Sequence, residues 1–133
     1  MAHAPSVVPS ATTRAIGAVR KGLPTGRLTE MAQLLAVDRE MLLRILGVSA
    51  RTIQRKHVHA ERLSPAASDR LSRIDRIYTL AADVFGDGGK AAEWLKRPSR
   101  ALAGELPLKL LDTDTGTQQV ERELRQIQHG FVY

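Results

Sequence analysis

Apolar residues recur at helical spacing in one short segment of this chain after another, and a glycine or proline closes nearly every segment, which narrows the fold more than any other feature. Leu28, Met31, Ala32 and Leu35 fall at i, i+3, i+4 and i+7, behind Gly22, Pro24 and Gly26. Met41, Leu42, Ile45 and Leu46 form a second stripe, with Asp38 suited to cap it and Gly47 to end it. Ser49 caps a third short helix from Ala50 to about His57. Leu63, Ser64 and Pro65 supply a staple residue, a cap and a first-turn proline for a long helix. Its Leu71, Ile74, Tyr78, Ala81 and Phe85 keep helical spacing up to Gly86. No segment alternates with a period of two and no repeat is present, so the chain is predicted to be all-α.

Residues 1 to 13, rich in Ala, Pro, Ser and Thr with no helical period, read as a flexible arm. At 133 residues and 43% apolar content the chain can bury one sizeable core or two small ones. It holds no run of eighteen apolar residues and no apolar stretch behind a basic start, which predicts a cytoplasmic protein with no membrane partner. The absence of cysteine removes disulfides and thiolate chemistry. Residues 1–62 carry ten Lys/Arg against four Asp/Glu, whereas residues 63–133 carry ten against ten. All of the net charge of +6 therefore lies in the first half, as a domain facing a polyanion would require, although a surplus of six also occurs as ordinary surface variation.

Residues 39–56, REMLLRILGVSARTIQRK, have the outline of a helix-turn-helix. Gly47 supplies the bend, Val48 plugs the turn, and Ile53 anchors the second helix against Leu42 and Leu46. The outward face then carries Ser49, Arg51, Thr52, Gln54, Arg55 and Lys56, which are the candidate DNA-binding residues. Arg pairs with guanine edges, Gln with adenine, and Ser, Thr and Lys suit phosphates. Arg14, Arg20, Lys21 and Arg27 would add backbone contacts. Leu43 stands where the pattern favours a small residue, which predicts looser packing between the two helices. The same side chains would also suit a solvated face on a helical hairpin.

The stretch from 88 to 130 is more specific: a Trp-Leu helix at Ala91, Trp94 and Leu95, a loop through Pro98, Ala101, Leu102 and Gly104, and a P-x-x-L-L turn at Pro107, Leu110 and Leu111. Thr113, Gly116, Val120, Leu124 and Ile127 then lead to Gly130, with a last helix expected from about Gly116 to His129. With Leu63 to Leu71 upstream, this order resembles the toxin-binding domain of the Xre/MbcA/ParS antitoxin family. The resemblance implies an N-terminal helix-turn-helix DNA-binding domain over residues 14–62 and a small helical toxin-binding domain over residues 63–133. It implies a type II antitoxin that blocks the active site of a RES-domain, NAD-degrading toxin and represses its own operon by binding operator DNA; a homodimer is expected because helix-turn-helix proteins read half-sites about one turn of DNA apart.

The expected toxin-binding residues are Arg122, Arg125 and Gln128 on the last helix, with Gly130, Phe131, Val132 and Tyr133 after it. Bulky residues behind a helix-ending glycine either dock on a partner or fold back on their own domain. The lone Trp94 reads as core rather than as a binding hot spot. No catalytic constellation emerges, and neither a cofactor nor a metal is expected: His57 and His59 point to different sides of a helix, and Gly86-Asp-Gly-Gly89 reads as a turn. The run Asp112 to Gly116 reads as helix capping rather than a cation loop. The competing reading is a stand-alone helix-turn-helix transcriptional regulator whose C-terminal domain only dimerises; a structural adaptor is a third.

Overall fold

The computed structural model describes residues 10–130, which form seven α-helices and two short 3-10 turns. In chain order these are α1 (Ala11–Lys21), α2 (Gly26–Leu35), α3 (Arg39–Leu46), α4 (Ala50–Val58), α5 (Pro65–Phe85), α6 (Gly88–Leu95), the 3-10 turns Arg100–Leu102 and Pro107–Asp112, and α7 (Asp114–Gln128). No strand occurs among the described residues.

Most boundaries follow from local chemistry. Asp38, Ser49, Ser64 and Thr113 each stand in extended backbone and accept the N–H of the residue three further on, which satisfies one of the orphan donors of a first turn. Gly47 and Gly86 end α3 and α5 in the left-handed conformation, at φ 69° and 73°. The last helix begins at Asp114, two residues before the expected Gly116, because the Thr113 cap already provides its start.

The N-terminus departs from expectation. Ser10 caps α1 and accepts the Thr13 N–H at 3.1 Å, so residues 11–13, assigned by composition to the flexible arm, belong to a helix. The rest of that arm, residues 1–9, lies outside the described residues. No residue of α1 is fully buried, and its apolar stripe, Ala11, Ala15, Ala18 and Val19, consists mostly of alanine.

The interior is one continuous cluster running from Leu28 on α2 to Leu124 on α7. Helix α5 is its spine: Leu71, Ile74, Ile77 and Ala81 are buried, and it packs against α1, α2, α3, α6, α7 and the second 3-10 turn. Ile77, rather than the neighbouring Tyr78, takes the inward position, and Tyr78 and Phe85 are half-buried at the edge of the core. The expected division at Leu63 falls at the mouth of this helix, and apolar packing runs straight across it.

A compact junction fixes the lower end of α5. Leu23 N–H donates to Ser68 Oγ at 2.8 Å, Leu63 N–H donates to Leu23 O at 2.9 Å, and Arg62 Nη1 donates to Gly22 O at 3.0 Å. Gly22 has φ 93°, and a Cβ there would run into the Leu63 carbonyl oxygen. The position therefore demands glycine on two grounds. Ser68 itself is completely buried, one of two such polar side chains among the described residues. Replacing it by alanine strips an acceptor from a half-buried N–H, and Ser68→Ala is expected to lower unfolding free energy by about 1–3 kcal/mol in urea denaturation. Because the core is single, Trp94 fluorescence and far-UV dichroism should report the same transition; two separated transitions would contradict this picture.

Candidate functional site

Two surfaces carry the residues singled out by sequence, and they sit on different elements. The first is α4. Ile53 is its only buried residue and joins the core cluster, while Arg51, Gln54 and Arg55 are exposed. Among the described residues no acidic side chain pairs with Arg51 or Arg55, so both guanidinium groups face solvent with their charge uncompensated. Arg44 on α3 is exposed nearby in sequence across the Gly47 bend.

The remaining candidates on α4 are engaged locally. Ser49 Oγ accepts the Thr52 N–H at 3.1 Å and donates to Thr52 Oγ1 at 2.9 Å, so this pair caps the helix. Lys56 Nζ donates to Arg62 O at 3.1 Å, which turns its charge toward the backbone that follows the helix. Thr25 Oγ1 lies 3.4 Å from His57 Nδ1 at the far end. Leu43 is buried against the core and its carbonyl accepts the Val48 N–H at 3.1 Å, so the large residue is accommodated while the turn keeps its closure.

The second surface lies on α7. Thr117, Val120 and Leu124 face the core, with Ile127 half-buried beyond them, and the polar residues divide into two rows. One row turns toward α5: Arg76 Nη1 meets Glu121 Oε1 at 3.1 Å, and Arg125 lies between that carboxylate, 3.9 Å away, and Gln128 Oε1 at 3.1 Å. The other row, Gln119, Arg122, Glu123 and Gln126, faces the first 3-10 turn and with Ala101, Leu102 and Ala103 lines an open cleft of about 360 Å³. The structure therefore separates Arg122, which lines the cleft, from Arg125 and Gln128, which lie outside it. Gly130 closes the helix at φ 69°, and Phe131, Val132 and Tyr133 lie outside the described residues.

The cleft wall is a tight loop. Ser99 N–H donates to Glu105 O at 3.0 Å and Gly104 N–H to Ser99 O at 2.7 Å, with Ala103 and Gly104 both left-handed at φ 57° and 81°. Sequence reasoning named Ala101 only as part of the loop and did not single out Ala103, Gln119, Glu123 or Gln126. The recurrence of polar side chains at 119, 122, 123 and 126 was a readable signal, but nothing in the residue types says that a loop would face them.

Trp94 is half-buried, its ring centroid 5.8 Å from that of Phe85 in a tilted arrangement that holds α6 to the end of α5. Gly116, buried in the first turn of α7, lies against the second 3-10 turn so closely that a Cβ would collide with the Leu110 carbonyl oxygen.

Both surfaces fall within segments that match known domains. Residues 14–74 match the antitoxin Xre-like helix-turn-helix domain, and residues 80–130 match the antitoxin Xre/MbcA/ParS C-terminal toxin-binding domain. The chain is similar to antitoxin Xre of Pseudomonas putida, with 36% identity over 105 residues, covering 79% of this chain and 63% of that protein. It is 32% identical over 115 residues to antitoxin Xre of Photorhabdus laumondii, covering 86% and 78%. A protein of Sphingobium sp. named Prs ADP-ribosylating antitoxin is 29% identical over 124 residues, again covering 86% and 78%. The chain thus spans less than two thirds of the P. putida relative.

Introducing a methyl group at Gly116 forces α7 away from the second 3-10 turn. Gly116→Ala is expected to cost about 1–3 kcal/mol in thermal unfolding, the usual range for overpacking, and to raise amide exchange at Val120 and Leu124.

Proposed function

The chain belongs to the Xre/MbcA/ParS antitoxin family, and from that premise we propose how its two surfaces divide the work of an antitoxin: α4 reads operator DNA, while the cleft face of α7 and the residues after it hold and occlude a cognate toxin. The observation that carries the reading is the contrast between the surfaces. Arg51 and Arg55 stand uncompensated beside Gln54 on a helix that buries one residue, whereas Arg125 and Glu121 on α7 are drawn into pairs and the neighbouring row frames a cleft.

The charge partition supports the DNA half. A duplex rewards cations that release its counterions, and all of the surplus charge lies in residues 1–62. With Ser49, Thr52 and Lys56 held by local bonds, Arg51, Gln54 and Arg55 reach for base edges, and Ser49 and Thr52 present the capped N-terminus of α4 to phosphate. Two copies would read the half-sites of a palindromic operator, about one turn of DNA apart, and so repress the operon of the pair.

On the toxin side, NAD chemistry is the best-supported target. A relative named as an ADP-ribosylating antitoxin points to a toxin that cleaves the bond between nicotinamide and ribose, the step common to ADP-ribosyl transfer and NAD degradation by a RES-domain enzyme. Arg122 in the cleft would contact the toxin surface, and Gly130 to Tyr133 would lie at the mouth of its NAD pocket, closing it by steric exclusion.

Two measurements separate the halves. Arg51→Ala with Arg55→Ala is expected to weaken retention of a promoter duplex by a hundredfold or more in a gel-shift assay, about 1–3 kcal/mol for each lost bidentate contact, while leaving co-purification of the toxin unchanged. Unaltered retention would rule out α4 as the reading helix. Conversely, Arg122→Glu, or removal of Phe131 to Tyr133, should restore NAD loss in cells co-expressing the toxin and leave duplex retention intact. Full neutralisation by both variants would overturn the occlusion model.

A further inference from the structure

Helix α4 is thinly held. Ile53 is its one buried side chain, and the bonds at its far end, Thr25 to His57 and Lys56 to Arg62, join exposed groups. The angle at which the helix leaves the body of the protein is therefore set at its start, in the turn Gly47-Val48-Ser49. Only a few bonds define that turn: Gly47 N–H to Arg44 O at 3.2 Å, Val48 N–H to Leu43 O at 3.1 Å, and the Ser49 cap.

One further bond reaches the turn from outside the two helices. Arg70, half-buried on α5, extends its guanidinium to the end of α3, where Nη1 donates to the Leu46 carbonyl at 2.9 Å. The last carbonyls of a helix have no partner within it, so a cation donated there satisfies an orphan acceptor and complements the negative end of the helix dipole. The space it uses exists because residue 47 lacks a side chain. A Cβ on Gly47 would stand 2.6 Å from Arg70 Nη1, so the glycine supplies both the left-handed bend and the slot for the guanidinium.

We propose that Arg70 is a positioning residue for DNA reading: it clamps the bend of the helix-turn-helix and fixes the set of α4 from α5, the helix on which the toxin-binding half is also built. This rests on the reading of α4 as the DNA-binding element. Arg70 itself touches no DNA in this scheme; it acts through Leu46 and the turn. Arg70 lies outside the helix-turn-helix outline of residues 39–56 but inside the matched domain of residues 14–74, and Arg51 and Arg55 act at the groove only if the bend holds its angle.

The test uses the full chain with two substitutions, Arg70→Met, which keeps the stem and removes the donors, and Arg70→Lys, which keeps a donor. Amide hydrogen exchange in the absence of DNA reads the clamp, and binding to a labelled duplex carrying the promoter of its own operon reads the consequence. For Arg70→Met, protection at Gly47 and Val48 should fall about tenfold, the loss of one charge-assisted bond, and duplex affinity by a similar factor. Protection at Leu95 and Leu124 and retention of the toxin should stay as in the unaltered chain, and Arg70→Lys should recover most of both losses. Unchanged protection at Val48 overturns the proposal. So does protection lost equally at Leu95 and Leu124, since Arg70 would then serve the whole core. If the unaltered chain fails to retain the duplex, the DNA reading falls and the positioning role with it, while the exchange data still decide whether the clamp exists.

Discussion

The structure depends on α5 being buried from several sides at once. A helix of 21 residues between two smaller groups of elements could have been a polar connector. Instead its Leu71, Ile74, Ile77 and Ala81 are at or near zero exposure, and neighbours from before and after it in the chain close over the same helix. Burial of apolar surface is the dominant favourable contribution to folding, so the two halves draw their stability from shared area. The junction at Gly22, Leu23, Leu63 and Ser68 makes this possible by letting two loops approach at backbone distance while every polar group involved keeps a partner.

A shared core gives the two surfaces different mechanical characters. The cleft on α7 is framed by a helix with a firmly buried stripe and by a loop closed on itself through Ser99 and Glu105. Such a wall is organised before any partner arrives, which lowers the ordering cost of association. By contrast α4 carries its cations on a helix that buries a single side chain, with its origin held by Gly47 and Arg70. Firm support lies under the cleft on α7, and thinner support under the cations of α4.

Local chemistry was the legible part of this fold. Caps at Asp38, Ser49, Ser64 and Thr113, and left-handed stops at Gly47 and Gly86, act over three or four residues and show in the residue types themselves. Helix α1 was missed because its stripe, Ala11, Ala15, Ala18 and Val19, keeps helical spacing but is mostly alanine and buries nothing completely, so it passes for part of the Ala, Ser and Thr composition before it. The cleft was missed for a different reason. Ala103 adopts a left-handed backbone that alanine does not advertise, and that turn brings Ala101 and Leu102 against Gln119 and Arg122. The separation of Arg125 from Arg122 was readable in part, since Glu121 and Arg125 stand four apart on one helix and attract each other. The reach of Arg70 to Leu46 was not, because it links residues 24 apart through a space defined only by the folded backbone.

The continuity of the interior also bears on how such proteins diversify. Where two domains are joined by a loose linker, recombination can shuffle a new specificity onto an old scaffold with little penalty. Here any crossover between the helix-turn-helix half and the C-terminal half must pass through or beside α5, and a foreign half would arrive without complementary partners for Leu71, Ile74 and Ile77. If the proposed cleft is the toxin contact, new pairings would arise by drift at its rim, at positions such as Gln119, Arg122 and Gln126, with both parts inherited as one block.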